Sequence, residues 1–524
     1  MSRRLLLLVW SFWSIACSGL ATAPAPSQLY IREYRVLGAH QLPPIEVEEA
    51  VYPFLGPGRT ADDVEKARAA LEKAYQDKGY QTVSVEIPQQ QPKGGIVFLQ
   101  VNEAKVGRLR VKGARYYDIN AIKKGAPSLA EGTVPNFNQV TRDIVALNQL
   151  PDRRVTPVLR PGVEPGTVDI DLNVKDTPPL HASLELNNRY SPNTSQLRLN
   201  GSVSYTNLWQ LGHAIGGSFQ IAPERLDDAK VYSGYYVARF PFVDWLSVMI
   251  EGTKQDSNVS TLGSLNVAGR GEVVGMRAMM TLPPPFKDFY HSLNLGFDYK
   301  HFDQLVTVGT SSVLTPITYW PVTAAYTASY VPKGSITTFD GSITYGLRGL
   351  GSNQSDFDFS RFNASGNFIY LRADLAHTHD LPAGFQAYGR VQGQLADQPL
   401  INSEQFGGGG LSTVRGYLES EVLGDNAIFG TVELRSPSLF GWFDKEARNN
   451  EWRIYIFGDA GTVTLRDTLP EQASRFNIAS FGIGSTMRLF DHLNGEIDAA
   501  VPTISQTNTQ SGHPRVTFRV WGDF

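Results

Sequence analysis

The sequence predicts two small α/β modules followed by a closed antiparallel β-barrel of about sixteen strands that crosses a membrane. Three observations predict it. After the opening segment no run of eighteen or more apolar residues occurs, so no helix can span lipid. Near residue 181 the apolar spacing changes from helical to strictly alternating. The opening segment itself reads as an export signal. An exported chain without a spanning helix is soluble or a closed barrel, because only helices and closed barrels satisfy their backbone groups in lipid. Composition agrees: 49 Gly, 22 Tyr and only 19% charged residues suit many strands and tight turns better than a helical bundle. A net charge of −4 without a dense basic run excludes a nucleic-acid binder.

Residues 1–23 form the predicted signal peptide. Arg3 and Arg4 precede an apolar stretch over 5–16, and Ala21-Thr22-Ala23 is the cleavage site. Two alternatives are a retained signal helix and lipidation at Cys17, although Ser14-Ile15-Ala16-Cys17 lacks the leucine usual three residues before a lipoprotein cysteine. Cleavage after Ala23 removes the only cysteine along with Arg3 and Arg4, taking the net charge from −4 to −6. Export without disulfides suits the periplasm and outer membrane.

Residues 30–104 read as strand, helix, helix, strand, strand. A strand over 30–36 ends at Gly38, and a short helix over 45–52 follows Pro43-Pro44. The clearest helix starts at Thr60, with Asp62 and Asp63 in its first turn. Val64, Ala67, Leu71 and Ala74 give it one apolar face, and Gly79 stands at its C-terminal position. Strands over 82–87 and 95–103 flank a turn at Pro92-Lys93-Gly94. Residues 105–177 repeat the order more weakly, with a strand over 106–111, a helix over 138–147 and a hairpin of 155–159 with 167–174.

These modules resemble the POTRA domains of two-partner secretion transporters. The first is carried by Val36-Leu37-Gly38, Leu55-Gly56, the run Ala74-Tyr75-Gln76-Asp77-Lys78-Gly79-Tyr80, Ser84-Val85-Glu86-Ile87-Pro88-Gln89-Gln90 and Val101-Asn102-Glu103. The second is carried by Leu147-Asn148 and Leu159-Arg160-Pro161-Gly162.

Residues 181–524 hold about sixteen short alternating segments, an even number as single-chain bacterial barrels require. In Ser292-Leu293-Asn294-Leu295-Gly296-Phe297-Asp298-Tyr299-Lys300 one face carries Leu293, Phe297 and Tyr299, the other Asn294, Asp298 and Lys300. Soluble sandwiches share this period but break into units of about 100 residues. The last segment alternates too, with Val516, Phe518, Val520 and the terminal Phe524 on one face. That ending resembles the signal read by the outer-membrane assembly machinery.

Gly409-Gly410-Leu411-Ser412-Thr413-Val414-Arg415-Gly416-Tyr417 resembles the V-R-G-[FY] motif in the sixth loop of the Omp85 superfamily, here placed at about 405–423. The resemblance implies that this loop folds into the lumen and that Arg415 docks on the inner wall. Phe457-Gly458-Asp459 matches the partner motif F-x-D, on the thirteenth segment. Parity agrees independently: Trp452, Ile454 and Ile456 share the lipid face, so Arg453, Tyr455, Phe457 and Asp459 face inward. Val432 and Leu434 face out, which turns Glu433 inward as a second acceptor. His377-Thr378-His379-Asp380 sits at a strand end before a turn and reads as a solvated turn rather than a metal site. With no nucleophile elbow, phosphate loop or zinc spacing, neither an enzyme nor a cofactor is expected.

The whole resembles the ShlB/FhaC/HecB-type two-partner secretion transporters (the TpsB family, within Omp85). This implies an outer-membrane pore whose periplasmic POTRA domains recognise an unfolded exoprotein, with outer-membrane lipid and the assembly machinery as further partners and no nucleic acid. The rival readings are an Omp85 assembly factor and a passive porin with periplasmic adaptors. In one respect the sequence departs from the family pattern. Residues 24–29 leave no room for the N-terminal plug helix common in that family, so a conducting resting pore is expected.

Overall fold

The computed structural model describes residues 28–524 apart from 92–93, 241–242, 258–268, 309–310 and 444–449. The predicted signal peptide, Cys17 and the Pro92-Lys93 turn lie outside the described residues. The chain divides into two compact units after Asp176.

The first unit opens with β1 (Leu29–Ile31), β2 (Glu33–Leu37), α1 (Pro44–Val51), β3 (Gly56–Arg59), α2 (Ala61–Asp77), β4 (Val83–Glu86) and β5 (Ile96–Glu103). The sheet order is β2-β5-β4, with β2 parallel and β4 antiparallel to β5. Thr60 and Asp63 close a capping box at the start of α2. The helix then buries Val64, Ala67, Leu71 and Tyr75 on Val83, Val85, Val97 and Leu99. The predicted strand over 30–36 is two strands. Arg32 and Glu33 both donate their N–H to Gly95 O (2.7 and 3.3 Å), which breaks the ladder and sends β1 to pair with β3. Gly38 (φ +80°) lets the chain pass Val101 O, which a Cβ would approach to 2.5 Å. Glu103 secures the following turn, accepting from His40 N (2.7 Å), Gln41 N (2.8 Å) and the Tyr75 hydroxyl (2.9 Å).

The same unit continues with β6 (Lys105–Lys112), α3 (Ile119–Lys124), α4 (Phe137–Leu147), β7 (Arg153–Pro161) and β8 (Thr167–Asp176), in the sheet order β6-β8-β7. Helix α3 escaped the sequence reading because six residues burying only Ile122 carry no period. Its one signal is the N-cap Asp118, which accepts from Asn120 N and Ala121 N.

The second unit is a closed antiparallel barrel. Its first half runs through β9 (Leu180–Asn187), β10 (Arg198–Leu208), β11 (His213–Ile221), β12 (Ala229–Phe240), β13 (Val243–Ser257), β14 (Gly269–Leu282), β15 (Phe289–Val308), β16 (Ser311–Tyr319) and β17 (Pro321–Tyr330). Its second half runs through β18 (Ser335–Gly346), β19 (Ile369–Asp380), β20 (Gln386–Ala396), β23 (Asn426–Arg435), β24 (Glu451–Thr464), β25 (Arg475–Leu489), β26 (Leu493–Pro502) and β27 (Arg515–Asp523). The short pair β21 (Phe406–Gly408) and β22 (Val422–Gly424) stands apart from the wall. The long β15 pairs with β16 along its upper half and with β17 along its lower half. Those two are one wall strand interrupted at Trp320, so the wall has sixteen strands and β24 is the thirteenth.

Alternation sorts the wall as lipid requires. Ile428, Val432 and Ile456 are exposed on the outer face, while Phe429, Phe457 and Asp459 are buried on the inner face. Outward Ile250, Met276 and Phe297 stand side by side in one row. Four residues further along the same strands Lys254 pairs with Glu272 (2.7 Å), marking the edge of the apolar band. Strand β19 runs through His377 and His379 and ends at Asp380, so the four residues are the exposed strand end before the turn at 382–384 rather than the turn itself. The register with β18 holds to Ser335–His379, and both histidines share the outer parity of Leu371 and Leu375. Among the described residues no cluster suited to a metal ion occurs.

Candidate functional site: the inserted loop and its dock

The connections between wall strands at the end of the wall away from residue 180 are numbered L1 to L8 in chain order. L6, residues 397–425, carries β21 and β22 and folds into the barrel, so that almost every residue from 400 to 425 is buried or half-buried. Gly409 N donates to Thr413 Oγ1 (2.8 Å), which in turn donates to Gly409 O (2.9 Å) and closes the tip. Val414 is fully buried among Tyr417, Val422, Phe429, Val463 and Ile478. This apolar packing aims the next side chain, Arg415, at the wall.

Arg415 donates Nε to Asp459 Oδ2 and Nη2 to Asp459 Oδ1, both at 2.8 Å, and its backbone N reaches Oδ2 at 3.1 Å. Nη1 lies 2.8 Å from Glu433 Oε1 and 3.6 Å from Asp498 Oδ1. The guanidinium carbon sits 3.5 Å from the centroid of the Phe457 ring. Each half of the F-x-D motif therefore has its own physical task. Asp459 makes the fork-on-fork pair that only a guanidinium can match, and Phe457 offers a π face to the same cation. Arg435 also grips Glu433 (2.7 Å). Three wall carboxylates thus face two arginines, and both oxygens of Asp459 depend on Arg415.

Gly416 (φ +88°) takes a backbone shape that L side chains avoid. A Cβ there would lie 3.1 Å from Ala500 Cβ and 3.2 Å from Pro502 Cγ. Tyr417 then reaches the wall with its hydroxyl, donating to Ile504 O (2.6 Å) and Ala479 O (3.1 Å).

Several residues of the dock were not singled out by sequence. Asp498 lies on β26, with its Oδ1 accepting from the Tyr455 hydroxyl at 2.8 Å. Gly482 and Gly484 on β25 leave room for the aromatic pair, since a Cβ would come within 2.5 Å of Phe457 Cζ and 2.3 Å of Tyr455 Cζ. Inward parity on β25 and β26 was the available signal for all three. Two further acids fix the base of L6. Glu404 accepts from Lys300 Nζ (2.6 Å), Tyr319 (2.6 Å) and Tyr370 (2.7 Å). Asp425 accepts both Nη atoms of Arg361 (2.8 and 2.9 Å), Leu400 N (2.9 Å) and Arg466 N (2.7 Å). Arg361 directly follows the L5 helix α5 (Gln354–Ser360).

Of the predicted assembly-signal residues, Phe518 and Val520 lie on the outer face of β27. Phe524 follows that strand, its ring stacked on His492 and its backbone exchanging two hydrogen bonds with Ala182.

Residues 166–487 match the family model "Haemolysin secretion/activation protein ShlB/FhaC/HecB", and residues 29–104 match the ShlB-type POTRA domain. The outer membrane transporter CdiB of Dickeya dadantii (strain 3937) is 22% identical over 69% of this chain, which spans 64% of that relative's length. CdiB of Escherichia coli O6:K15:H31 is 22% identical over 93% of this chain and 81% of its own length. The heme/hemopexin transporter protein HuxB of Haemophilus influenzae is 20% identical over 70% of this chain and 64% of its own length. Among solved structures, CdiB from Escherichia coli covers 98% of this chain and 93% of its own, with a TM-score of 0.66 at 19% identity. BamA from Haemophilus ducreyi, lacking POTRA domains 1–3, gives 0.57 at 14% identity over 94% of this chain and all of its own. Both share the fold of an N-terminal POTRA region followed by a sixteen-stranded barrel. The chain belongs to the ShlB/FhaC/HecB family of haemolysin secretion/activation proteins, outer-membrane barrels with periplasmic POTRA domains.

Proposed function

We propose that this chain is the pore through which one dedicated exoprotein leaves the periplasm. In this reading a signal peptide over 1–23 exports the chain, and the β27 ending addresses it to the outer-membrane assembly machinery, which inserts it among outer-membrane lipids. The unfolded exoprotein docks on the POTRA modules by adding a strand to a sheet edge. The order β2-β5-β4 makes β2 and β4 the edges of the first sheet. The chain then threads the barrel, where L6 shapes the passage, and it folds outside, which gives transport its direction without a nucleotide.

The observation that carries this reading is the Arg415–Asp459 latch inside a closed sixteen-stranded wall, in a chain of a secretion family. The test is deletion of the gene in its own host, with the large exported protein that this reading expects to be encoded beside it followed in the medium. That protein should vanish from the medium while other outer-membrane proteins keep their levels. General depletion of those proteins, with export intact, would mean that the chain assembles barrels instead. Arg415→Ala restored to the deletion strain should lower export at least about tenfold, since the tip then loses its fork on Asp459 and no longer holds its place against the wall.

A further inference from the structure

Strands β9 and β27 close the barrel over five residue pairs, Arg519–Asn187 to Asp523–Ser183. Each has eight pairs with its other neighbour. Side chains extend this short ladder. Asn188 Nδ2 donates to Val516 O (2.9 Å), and Asn188 Oδ1 accepts from Phe518 N (2.8 Å). Arg519 of β27 reaches Glu185 of β9 at 2.8 Å and Glu496 of β26 at 3.4 Å. Asn187, fully buried, donates to Glu185 Oε1 (2.6 Å) and accepts from Arg189 N (2.9 Å).

The line of contacts does not stop at the wall. Arg189, at the root of L1, donates Nε to Glu419 Oε1 of L6 at 2.7 Å. Glu419 N donates to Tyr190 O (3.1 Å), and its Oε1 also accepts from Leu411 N (3.2 Å) on the other arm of the hairpin. Gly410 (φ +87°) is cut to fit this carboxylate, because a Cβ there would lie 2.3 Å from Glu419 Cδ. Two residues further on, Glu421 accepts from Asn508 N (3.2 Å) and from the Thr509 hydroxyl in L8, and Tyr417 donates to Ile504 O of the same loop. L1 follows β9 and L8 precedes β27. The segment 417–421 therefore spans the two strands that meet at the closure.

We propose that Glu419 is a second positioning residue of L6, one that ties the loop to the closure of the barrel rather than to the dock around Asp459. The strap 417–421 and the five-pair ladder act as one unit, so freeing the strap from Arg189 loosens the β9–β27 pairing while β23 and β24 stay paired. The consequence for transport rests on the reading that L6 shapes the passage.

The test uses the full-length protein in lipid nanodiscs, with amide hydrogen exchange read over 182–188 and 516–524 and, as reference, over 428–434 and 454–462. Glu419→Gln and Arg189→Gln each remove the pair from one side. Either should speed exchange at the closure at least about tenfold over the reference strands, and the exchanged pair Arg189→Glu with Glu419→Arg should restore slow exchange. Unchanged exchange at the closure, an equal rise in all strands, or no recovery in the exchanged pair overturns the proposal. Should one variant fail to give the compact, heat-modifiable form on a gel, the other decides by the same readings. Export measured in parallel separates the two ideas. A loosened closure with normal export leaves the coupling intact and counts against L6 as the shaper of the passage.

Discussion

The two ends of L6 are held by opposite arrangements of charge. At the base, the loop supplies the acids and its surroundings supply the donors: Lys300, Tyr319 and Tyr370 for Glu404, Arg361 and two backbone N–H groups for Asp425. At the tip, the loop supplies one cation and the wall supplies the carboxylates of Asp459, Glu433 and Asp498. The difference lies less in bond strength than in what each group can do when its partner is lost. Asp425 directly precedes β23 and cannot withdraw, so an orphaned partner at the base stays buried. The tip is continuous with no wall strand and is held by the side chains of Arg415, Tyr417 and Glu419. A freed tip can leave, and the wall carboxylates then recover water from the lumen. On this argument the base is structural and the tip is the part built to be released.

The largest effect should separate the two ends directly. Glu404→Gln leaves the Lys300 ammonium buried without a counter-charge, at a cost of about 3–5 kcal/mol. Urea unfolding followed by heat-modifiable gel mobility should show that loss for Glu404→Gln and for Asp425→Asn, and under half of it for Arg415→Ala. Equal losses at base and tip would break the comparison.

A second effect concerns the tip alone. Arg415→Lys keeps the charge but loses both the fork on Asp459 and the flat contact with Phe457. Single-channel recordings should show it opening nearly as often as Arg415→Ala. Phe457→Leu keeps Asp459 and removes only the π face, worth about 1 kcal/mol, so the ratio of open to closed time should rise about fivefold. If Arg415→Lys instead conducts like the unmodified protein, charge alone holds the tip and the geometry of the fork is incidental.

What the sequence disclosed and what it hid follow one physical division. Period-two alternation is a local property, so it exposed the sixteen-stranded wall, the inward face of β24 and the side on which Glu433 lies. Arg415 and Asp459 stand in short motifs whose residue types are chosen by bidentate chemistry, and they were readable for that reason. Glu404, Asp425 and Glu419 escaped because each is an ordinary acid in a loop. Its meaning lies in partners that the fold brings from 104, 64 and 230 positions away. Helix α3 and the split of β1 from β2 were missed for the opposite reason. Both are settled over a few residues, by an Asp118 cap and by two N–H groups sharing Gly95 O, and no periodic signal survives at that length.

The smallest effect sets the latches inside the barrel against one whose carboxylate is covered only by half-exposed cations. On the open face of the β6-β8-β7 sheet, Asp171 is gripped by Lys112 (2.7 Å), Arg110 (2.9 Å) and Arg160 (3.1 Å), whose own side chains are about half exposed. The hydrogen bond from Lys112, helped by the charges of Arg110 and Arg160, holds the Asp171 carboxyl below the usual carboxylate range. Because the folded-state value is depressed, the contribution of this cluster is present above the ordinary aspartate value of 3.8 and is lost as pH falls through the lower folded value. Thermal unfolding of the full chain, read from the POTRA signal, should therefore fall between pH 4 and pH 2 more steeply than in Asp171→Asn. The gap between the two should shrink in about 1 M salt, where the screening length drops to roughly 3 Å. The Arg415 latch, shielded inside the barrel, should keep its hold on the tip at the same salt, with open times unchanged. A tip that loosens in salt as readily as the Asp171 cluster would show that water and ions already reach the dock at rest.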